Sequence, residues 1–275
     1  MIKDIVVQLT GSDEDDVRLL FAREIATAHN AHLIGVHLHL LPDLLEVGEP
    51  TRSSYVQGLL EESEAAANAA FVKLEATFSQ LECLHELRRL HGLASGIGGE
   101  LATIARTADL FIGTRPYGDI AQHHKIEEAV LFGSGRGSLF LPPGGRPTRT
   151  FQTILVAWDG SRAAARAMAE AMPFLKAGDR VILGNVADPL LSEKENAAVF
   201  SNILPHLERH EISASPIQLP YRSGTGEQLE ALAHQQGADL IVAGAYGHSK
   251  LIEWALGGVT RGLLRYSTLP LLMAH

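Results

Sequence analysis

The chain has 275 residues, 46% of them hydrophobic and 20% charged, with a formal net charge of −9, which is ordinary globular composition and length enough for one large domain or two of typical size. That charge gives nucleic-acid phosphates no general attraction, and no Lys/Arg run supplies a local basic footprint, so nucleic acid is excluded as an expected partner. A lone cysteine, Cys83, excludes an intrachain disulfide; no stretch approaches the about 18 apolar residues of a membrane span; and Met1-Ile2-Lys3-Asp4 does not open a signal peptide, so a cytoplasmic protein without membrane association is expected.

In chain order, the first apolar run, Asp4 to Leu9, ends in Thr10-Gly11-Ser12 and leads into a helix-like stretch. His37 and His39 follow on one face of a second predicted strand. Between Pro50 and Gln80 an Ala-rich stretch ending near Phe71, Leu74 and Phe78 predicts a long helix. Cys83 reads as a small buried hydrophobe. The Gly92, Gly96, Gly98, Gly99 cluster lacks the third glycine of a dinucleotide fingerprint and reads as a helix start. Leu110 to Gly113 predicts a buried strand, Tyr117 to Phe132 a longer segment with His123, His124, Glu127 and Glu128, and Ser138–Leu141 a last strand. The Pro/Gly cluster Leu141 to Thr148 then spaces one domain from the next, with the boundary near 148: domains 1–148 and 149–275.

Thr153 to Ser161 repeats the pattern of Asp4 to Ser12, and Ala238-Asp239-Leu240 repeats Ala108-Asp109-Leu110, with extra residues in the first half falling in its long helix. Such internal duplication governs every later step. In the second half, strands are predicted at Thr153–Ala157, Arg180–Val186, Ser213–Gln218, Leu240–Ala243 and Leu269–Met273, and helices at Ala163–Lys176, Glu193–Arg209, Gly226–Gln236 and Gly258–Tyr266. Short apolar runs alternating with amphipathic stretches argue βαβ units. The expected fold is α/β: two tandem, doubly wound, Rossmann-like five-stranded parallel-sheet domains in flavodoxin-like order, related by a pseudo-twofold and paired within the chain. A monomer or a homodimer of such units both fit.

Ligands of such sheets sit beyond the carboxyl ends of the strands, where strand order reverses. The loops there are Asp159-Gly160-Ser161 and Gly244-Ala245-Tyr246-Gly247, followed by Gly257-Gly258-Val259-Thr260 just before a predicted helix. Glycines let backbone N–H groups approach phosphate oxygens, and a helix N-terminus adds oriented donors. The P-loop pattern is absent.

These residues resemble the universal stress protein family: Gly244-x2-Gly247-x9-Gly257, after the Asp239 to Val242 strand and before Val259-Thr260, is similar to that family's ATP-binding signature. The strand ending in Asp159-Gly160-Ser161 and the closing Leu269 to Met273 add to the likeness, which spans 150–275 and, more loosely, 1–143. The resemblance implies a tandem universal stress protein whose second half binds ATP, with or without Mg2+, as a nucleotide-dependent stress-signalling module. It implies that Asp159 contacts the nucleoside end, that Val186 pairs adenine through its backbone, and that Gly244, Gly247, Gly257, Gly258, Val259 and Thr260 hold ribose and phosphates. His248, beside Gly247, is in place to reach a phosphate. Gly258 departs from the family pattern of Ser or Thr after the last glycine, which removes a side-chain hydroxyl.

The first half reads as a degenerate copy, with Thr10 in the place of Asp159 and Thr114 in that of Gly244, while Gly133-Ser134-Gly135-Arg136 echoes the end of the motif or is a plain glycine-rich turn. His206 and His210 have the i, i+4 spacing of metal ligands but no third partner, so a solvated helix face is expected. The alternatives to a binding module are a slow ATP-hydrolysing enzyme of the adenine-nucleotide α-hydrolase group and a scaffold that has lost its nucleotide. Beyond His248 and Thr260 the sequence offers no acid, base or metal clamp near the phosphates.

Overall fold

The computed structural model describes residues 1–42, 53–116, 125–145, 151–177, 180–245 and 258–275. The expected domain boundary near 148 lies outside them. The first half runs β1 (Asp4–Leu9), α1 (Glu14–His29), β2 (His32–Leu40), α2 (Ser53–Phe78), β3 (His85–Gly92), α3 (Ala94–Ala105), β4 (Leu110–Thr114), α4 (Lys125–Gly133) and β5 (Gly137–Leu141). The second runs β6 (Thr153–Ala157), α5 (Arg162–Ala177), β7 (Arg180–Val186), α6 (Glu193–Ala198), α7 (Ile203–Arg209), β8 (Ala214–Leu219), α8 (Thr225–Gln235), β9 (Leu240–Gly244), α9 (Gly258–Tyr266) and β10 (Leu271–Ala274).

The ten strands of the described residues form one sheet in the order β3-β2-β1-β4-β5-β10-β9-β6-β7-β8. Each half is parallel within itself, and the halves meet where β10 lies antiparallel to β5, with Leu272 opposite Leu139. The strand order is palindromic about that pair, so equivalent strands are exchanged by a pseudo-twofold.

One expectation is corrected. The order in each half is 3-2-1-4-5, the Rossmann half-order, and not the flavodoxin-like 2-1-3-4-5. A flavodoxin order would put the third strand beside the first, buried on both faces. Yet β3 is His-Glu-Leu-Arg-Arg-Leu-His-Gly and is nowhere fully buried, and β8 is similarly exposed. Such strands are stable only at an edge, whereas the apolar β7 has five consecutive buried residues and belongs inside. Order 3-2-1-4-5 moves the crevice to the gap between the first and fourth strands.

Alternation along the strands sends Ile5, Val7 and Leu9 to one face, against α1 and α2, and Val6 to the other, against α3 and α4. Both cores run on through the second half, and stacked Phe21 and Phe151 rings, 6.2 Å apart, link the halves on the first face. The extra residues of the first half lie in the 26-residue α2, where the second half has α6 and α7. The single helix expected over Glu193–Arg209 is therefore two. Trp158 donates its indole N–H to the Val199 carbonyl at 3.0 Å, a carbonyl that a continuous helix would use internally. Pro205 lacks the N–H that would have bonded back across the break.

Candidate functional site

In the second half β6 pairs directly with β9, Leu155 opposite Ile241, so the loops that follow them share one end of the sheet. Gly160 turns the first loop with φ +75°, as Gly11 does with φ +78° in the first half, a conformation that favours glycine. Asp159 is exposed, and its Oδ1 accepts the Ser161 N–H at 2.9 Å. Ser161 Oγ accepts the Ala164 N–H at 3.1 Å, capping the start of α5.

Val186 ends β7, beyond the last residue of β6. The Gly184 carbonyl accepts from Trp158 N–H at 2.8 Å. Backbone alternation therefore turns the N–H and C=O of Val186 to the same side, past the end of β6 and toward the Asp159 loop. Gly244 ends β9, where an added Cβ would lie 2.4 Å from the Ala163 carbonyl carbon and 2.5 Å from Ala164 N. This glycine answers first to the close packing of α5 on β9. Gly258 opens α9, with Val259 half-buried and Thr260 4% exposed in its first turn. Gly247, His248 and Gly257 lie outside the described residues. Where α5 packs on β9 the residues are small: Ala163, Ala164, Ala167 and Gly244.

The first half sets a buried ion pair in the equivalent place. Asp15 and Arg18 stand where Ala164 and Ala167 stand, both buried and joined as an ion pair. Arg18 donates to Thr114 Oγ1 and to Thr10 Oγ1, each at 2.8 Å. Asp15 accepts the N–H groups of Thr10 and Gly11 at 2.9 and 2.8 Å. The loop N–H donors that could have met a ligand anion are thus held by the chain's own carboxylate. With Thr114 in place of glycine, α1 packs less closely on β4 than α5 does on β9, and the guanidinium occupies the difference.

A second substitution appears only in three dimensions. Gly98 of α3 packs on Ile126 and Ala129 of α4, as Gly226 of α8 packs on Val259 and Gly262 of α9. Glu127 is therefore the counterpart of Thr260, and both are 4% exposed. Gln8 Nε2 donates to Glu127 Oε1 at 2.8 Å. Burial pushes the Glu127 carboxyl up from its usual range, opposed in part by the Gln8 bond and the nearby Arg18 charge. By the same equivalence Gly133-Ser134-Gly135-Arg136 is not the end of a phosphate motif: it forms the turn after α4, with Gly135 at φ +68°. Asp15, Arg18, Gln8 and Glu127 were not among the residues singled out for chemistry, though an acid–base pair at i, i+3 on a helix and a glutamine in an apolar strand were visible signals.

The His206 and His210 rings are 4.7 Å apart, and no cluster of three or more metal-ligating side chains occurs among the described residues. Nor is any described helix long and apolar enough to cross a membrane. Cys83 is half-buried, and burial raises its thiol.

Residues 150–275 match the Universal stress protein family. No curated protein matches the sequence. The whole chain is similar in fold to a universal stress protein from Archaeoglobus fulgidus DSM 4304, with a TM-score of 0.74 at 15% identity over 98% of this chain and 97% of that one. It also resembles a functionally unknown protein from Pseudomonas aeruginosa PAO1, with a TM-score of 0.66 at 14% identity over 99% of this chain and 92% of that one. The second half of the chain therefore belongs to the universal stress protein family, and the two halves repeat that family's fold in tandem.

Proposed function

We propose that the chain is a cytoplasmic nucleotide-binding stress-response module, formed by domains 1–148 and 149–275 paired within the chain, that binds one ATP in its second half. The reading rests above all on one adjacency. Asp159 and the Val186 backbone lie at the same sheet end as Gly244, across the β6/β9 switch point, and Gly244 begins the Gly244-x2-Gly247-x9-Gly257 motif of the sequence. The described residues at that sheet end offer what an adenine nucleotide needs: an exposed carboxyl for ribose or base, a strand-end N–H and C=O for adenine, and the start of α9 for phosphate. In the same reading Gly247, Gly257, Gly258, Val259, Thr260 and His248 surround the ribose and phosphates, and Mg2+ accompanies the phosphates. The first half supports the contrast, because Asp15 takes the Thr10 and Gly11 N–H groups and Glu127 replaces Thr260 with an acid. Output then comes from a nucleotide-dependent change in the paired halves and not from turnover.

Calorimetry of magnesium ATP against the intact chain is expected to give one site. Asp159→Ala should weaken binding about tenfold, as loss of one hydrogen bond to a charged group does, and Gly247→Val should abolish it, whereas Thr10→Ala should leave it unchanged. Two equivalent sites, or binding indifferent to Asp159 and Gly247, would refute the assignment.

A further inference from the structure

Helix α2 rests on ionisable rings. Among the described residues, every hydrogen bond and ring contact between α2 and the sheet goes to a histidine or to Arg89. Ser63 Oγ lies 3.0 Å from His39 Nε2, and Asn68 Oδ1 accepts from Arg89. Phe71 packs on His37 with ring centroids 5.8 Å apart and carries the Arg89 guanidinium over its face at 5.9 Å, and Phe78 packs on His85 at 5.8 Å. The two ends of the helix are held unequally. Leu74 and Phe78 are buried in the core, whereas from Tyr55 to Ala66 no residue is fully buried. A segment with so few buried apolar contacts opens at lower cost than the fold as a whole.

The hydrogen bonds at His39 fix its protonation state. Arg89 Nη2 approaches His39 Nδ1 at 3.3 Å and can only donate, so Nδ1 accepts. His91 Nδ1, 3.0 Å from the same atom, therefore donates to it as well, and the one ring proton of His39 sits on Nε2, which donates to Ser63 Oγ. A second proton has only Nδ1 to occupy. There it turns an acceptor into a donor, breaks the bonds from Arg89 and His91, and sets a positive charge against the guanidinium. Burial lowers both His39 and His37 from the ordinary 6.5; His91 and Arg89 act in the same direction on His39, as Arg89 does on His37. The opposing carboxylates, Glu64 of α2 at His39 and Asp15 of α1 at His37, are the weaker influence, and Asp15 is already paired with Arg18. Glu14 and Glu127 are the acids that line the adjoining crevice. The docked helix thus favours neutral rings: docking is at full strength above 6.5 and is lost as pH falls below it.

We propose that protonation of this seam in mild acid frees the N-terminal half of α2, from Tyr55 to Ala66, while Leu74 and Phe78 keep the rest in place. Ala66, Ala67 and Ala70 line a crevice of about 510 Å³ at the carboxyl ends of β1 and β2, so the movement opens the first half at its switch point. The second half has no such device, since β7 and β8, which stand where β2 and β3 stand, carry no histidine. The response belongs to the first half alone and does not depend on a nucleotide in the second.

Hydrogen exchange read by mass spectrometry on the full chain tests this, with rates at pH 7 and pH 5 corrected for the intrinsic pH dependence of exchange. Protection of residues 55–66 is expected to fall at least about tenfold at pH 5, while that of α5 and α8 stays within about twofold. His39→Gln, which keeps an acceptor and a donor but cannot ionise, should cut the fall to less than about threefold. Circular dichroism checks its folding. Should it not fold, His91→Gln, at an exposed site on the edge strand, removes the neighbouring ring that disfavours charge on His39 and should shrink the fall at least about twofold. Unchanged protection of residues 55–66, an equal loss in the helices of the second half, or a full response in the folded variants would overturn the proposal.

Discussion

Asp239 repeats in the second half the work of Asp109 in the first. Asp109 Oδ2 accepts the N–H groups of Lys3 and Asp4 at 2.6 and 3.1 Å, and Asp239 Oδ2 accepts those of Gln152 and Thr153 at 2.9 and 3.0 Å. In each half the residue before the fourth strand clamps the start of the first, fixing the pairing that creates the switch point. Asp109→Ala and Asp239→Ala should each cost about 1–2 kcal/mol in urea unfolding. Asparagine, which keeps an acceptor oxygen, should cost less at either position, and equal losses for alanine and asparagine would refute the clamp.

The halves are also joined outside the sheet. Arg115 Nη1, from the first half, donates to the Leu264 carbonyl in the last turn of α9 at 2.8 Å, in a buried setting. It satisfies a helix-end carbonyl that has no partner within the helix and faces the negative end of the dipole. Arg115→Met should keep most of the packing and destabilise the chain by about 1–3 kcal/mol through the orphaned carbonyl. Arg115→Lys should not restore stability, because a point ammonium lacks the planar fork. Thermal unfolding of the three proteins decides it.

The duplication was legible because apolar runs, Gly-Ser turns and the Ala-Asp-Leu pairs are local patterns, and strands such as Thr153–Ala157 and Arg180–Val186 fall where the pattern puts them. Strand order was not, since it depends on which strand can bear exposure, although the polarity of β3 and β8 carried that information. The contents of the first crevice were half legible. Thr10 and Thr114 are visible as departures from the motif, but the reason they are tolerated is Arg18 and Asp15, two residues that look like solvated helix positions until α1 is laid on β4. The match of Glu127 with Thr260 needed helix packing, because the intervening segments carry no shared spacing.

Any ATP turnover should be slow, far below the roughly 10 per second of a typical enzyme. The sequence has no P-loop lysine, and among the described residues no metal-ligating cluster stands near the crevice. Steady-state phosphate release with magnesium ATP measures this. Turnover near the typical value, lost on changing His248 or Thr260, would show an enzyme instead.

Glu127 sets a pH dependence with a definite sign. Its usual carboxyl value is 4.5, and burial raises it in the folded chain. Between the two values the folded chain holds a proton that the unfolded chain has lost, so this group's contribution falls as pH rises through that window. His37 and His39 act oppositely: both are lowered from 6.5 by burial, so their contribution is present above 6.5 and is lost as pH falls below it. Glu127→Gln keeps an amide in contact with Gln8 and cannot ionise. It should raise stability at pH 7 relative to the native chain by more than at pH 4, as read from urea midpoints. An unchanged difference between the two pH values would show that Glu127 is not held protonated.

Gly244 offers the sharpest contrast between the halves. A Cβ there meets backbone, not a flexible side chain, at 2.4 and 2.5 Å, so β9 or the start of α5 must move. Overpacking of this kind costs about 1–3 kcal/mol and more where backbone cannot give. The first turn of α5 is tied to the Asp159 loop through Ser161 Oγ and Ala164 N–H, so displacement of Ala163 and Ala164 carries Asp159 with it. Gly244→Ala should therefore lower the melting temperature and weaken ATP binding together. Thr114→Ala, at the equivalent position of the first half, makes a space and not a clash. It removes one acceptor from Arg18, which keeps Asp15 and Thr10, and should cost only about 1 kcal/mol with no effect on ATP. Thermal melts and calorimetry on both variants measure the two consequences side by side. If Gly244→Ala melts like the native chain, the close approach of α5 to β9 is wrong; if it melts early yet binds ATP unchanged, the Asp159 loop is not coupled to that approach.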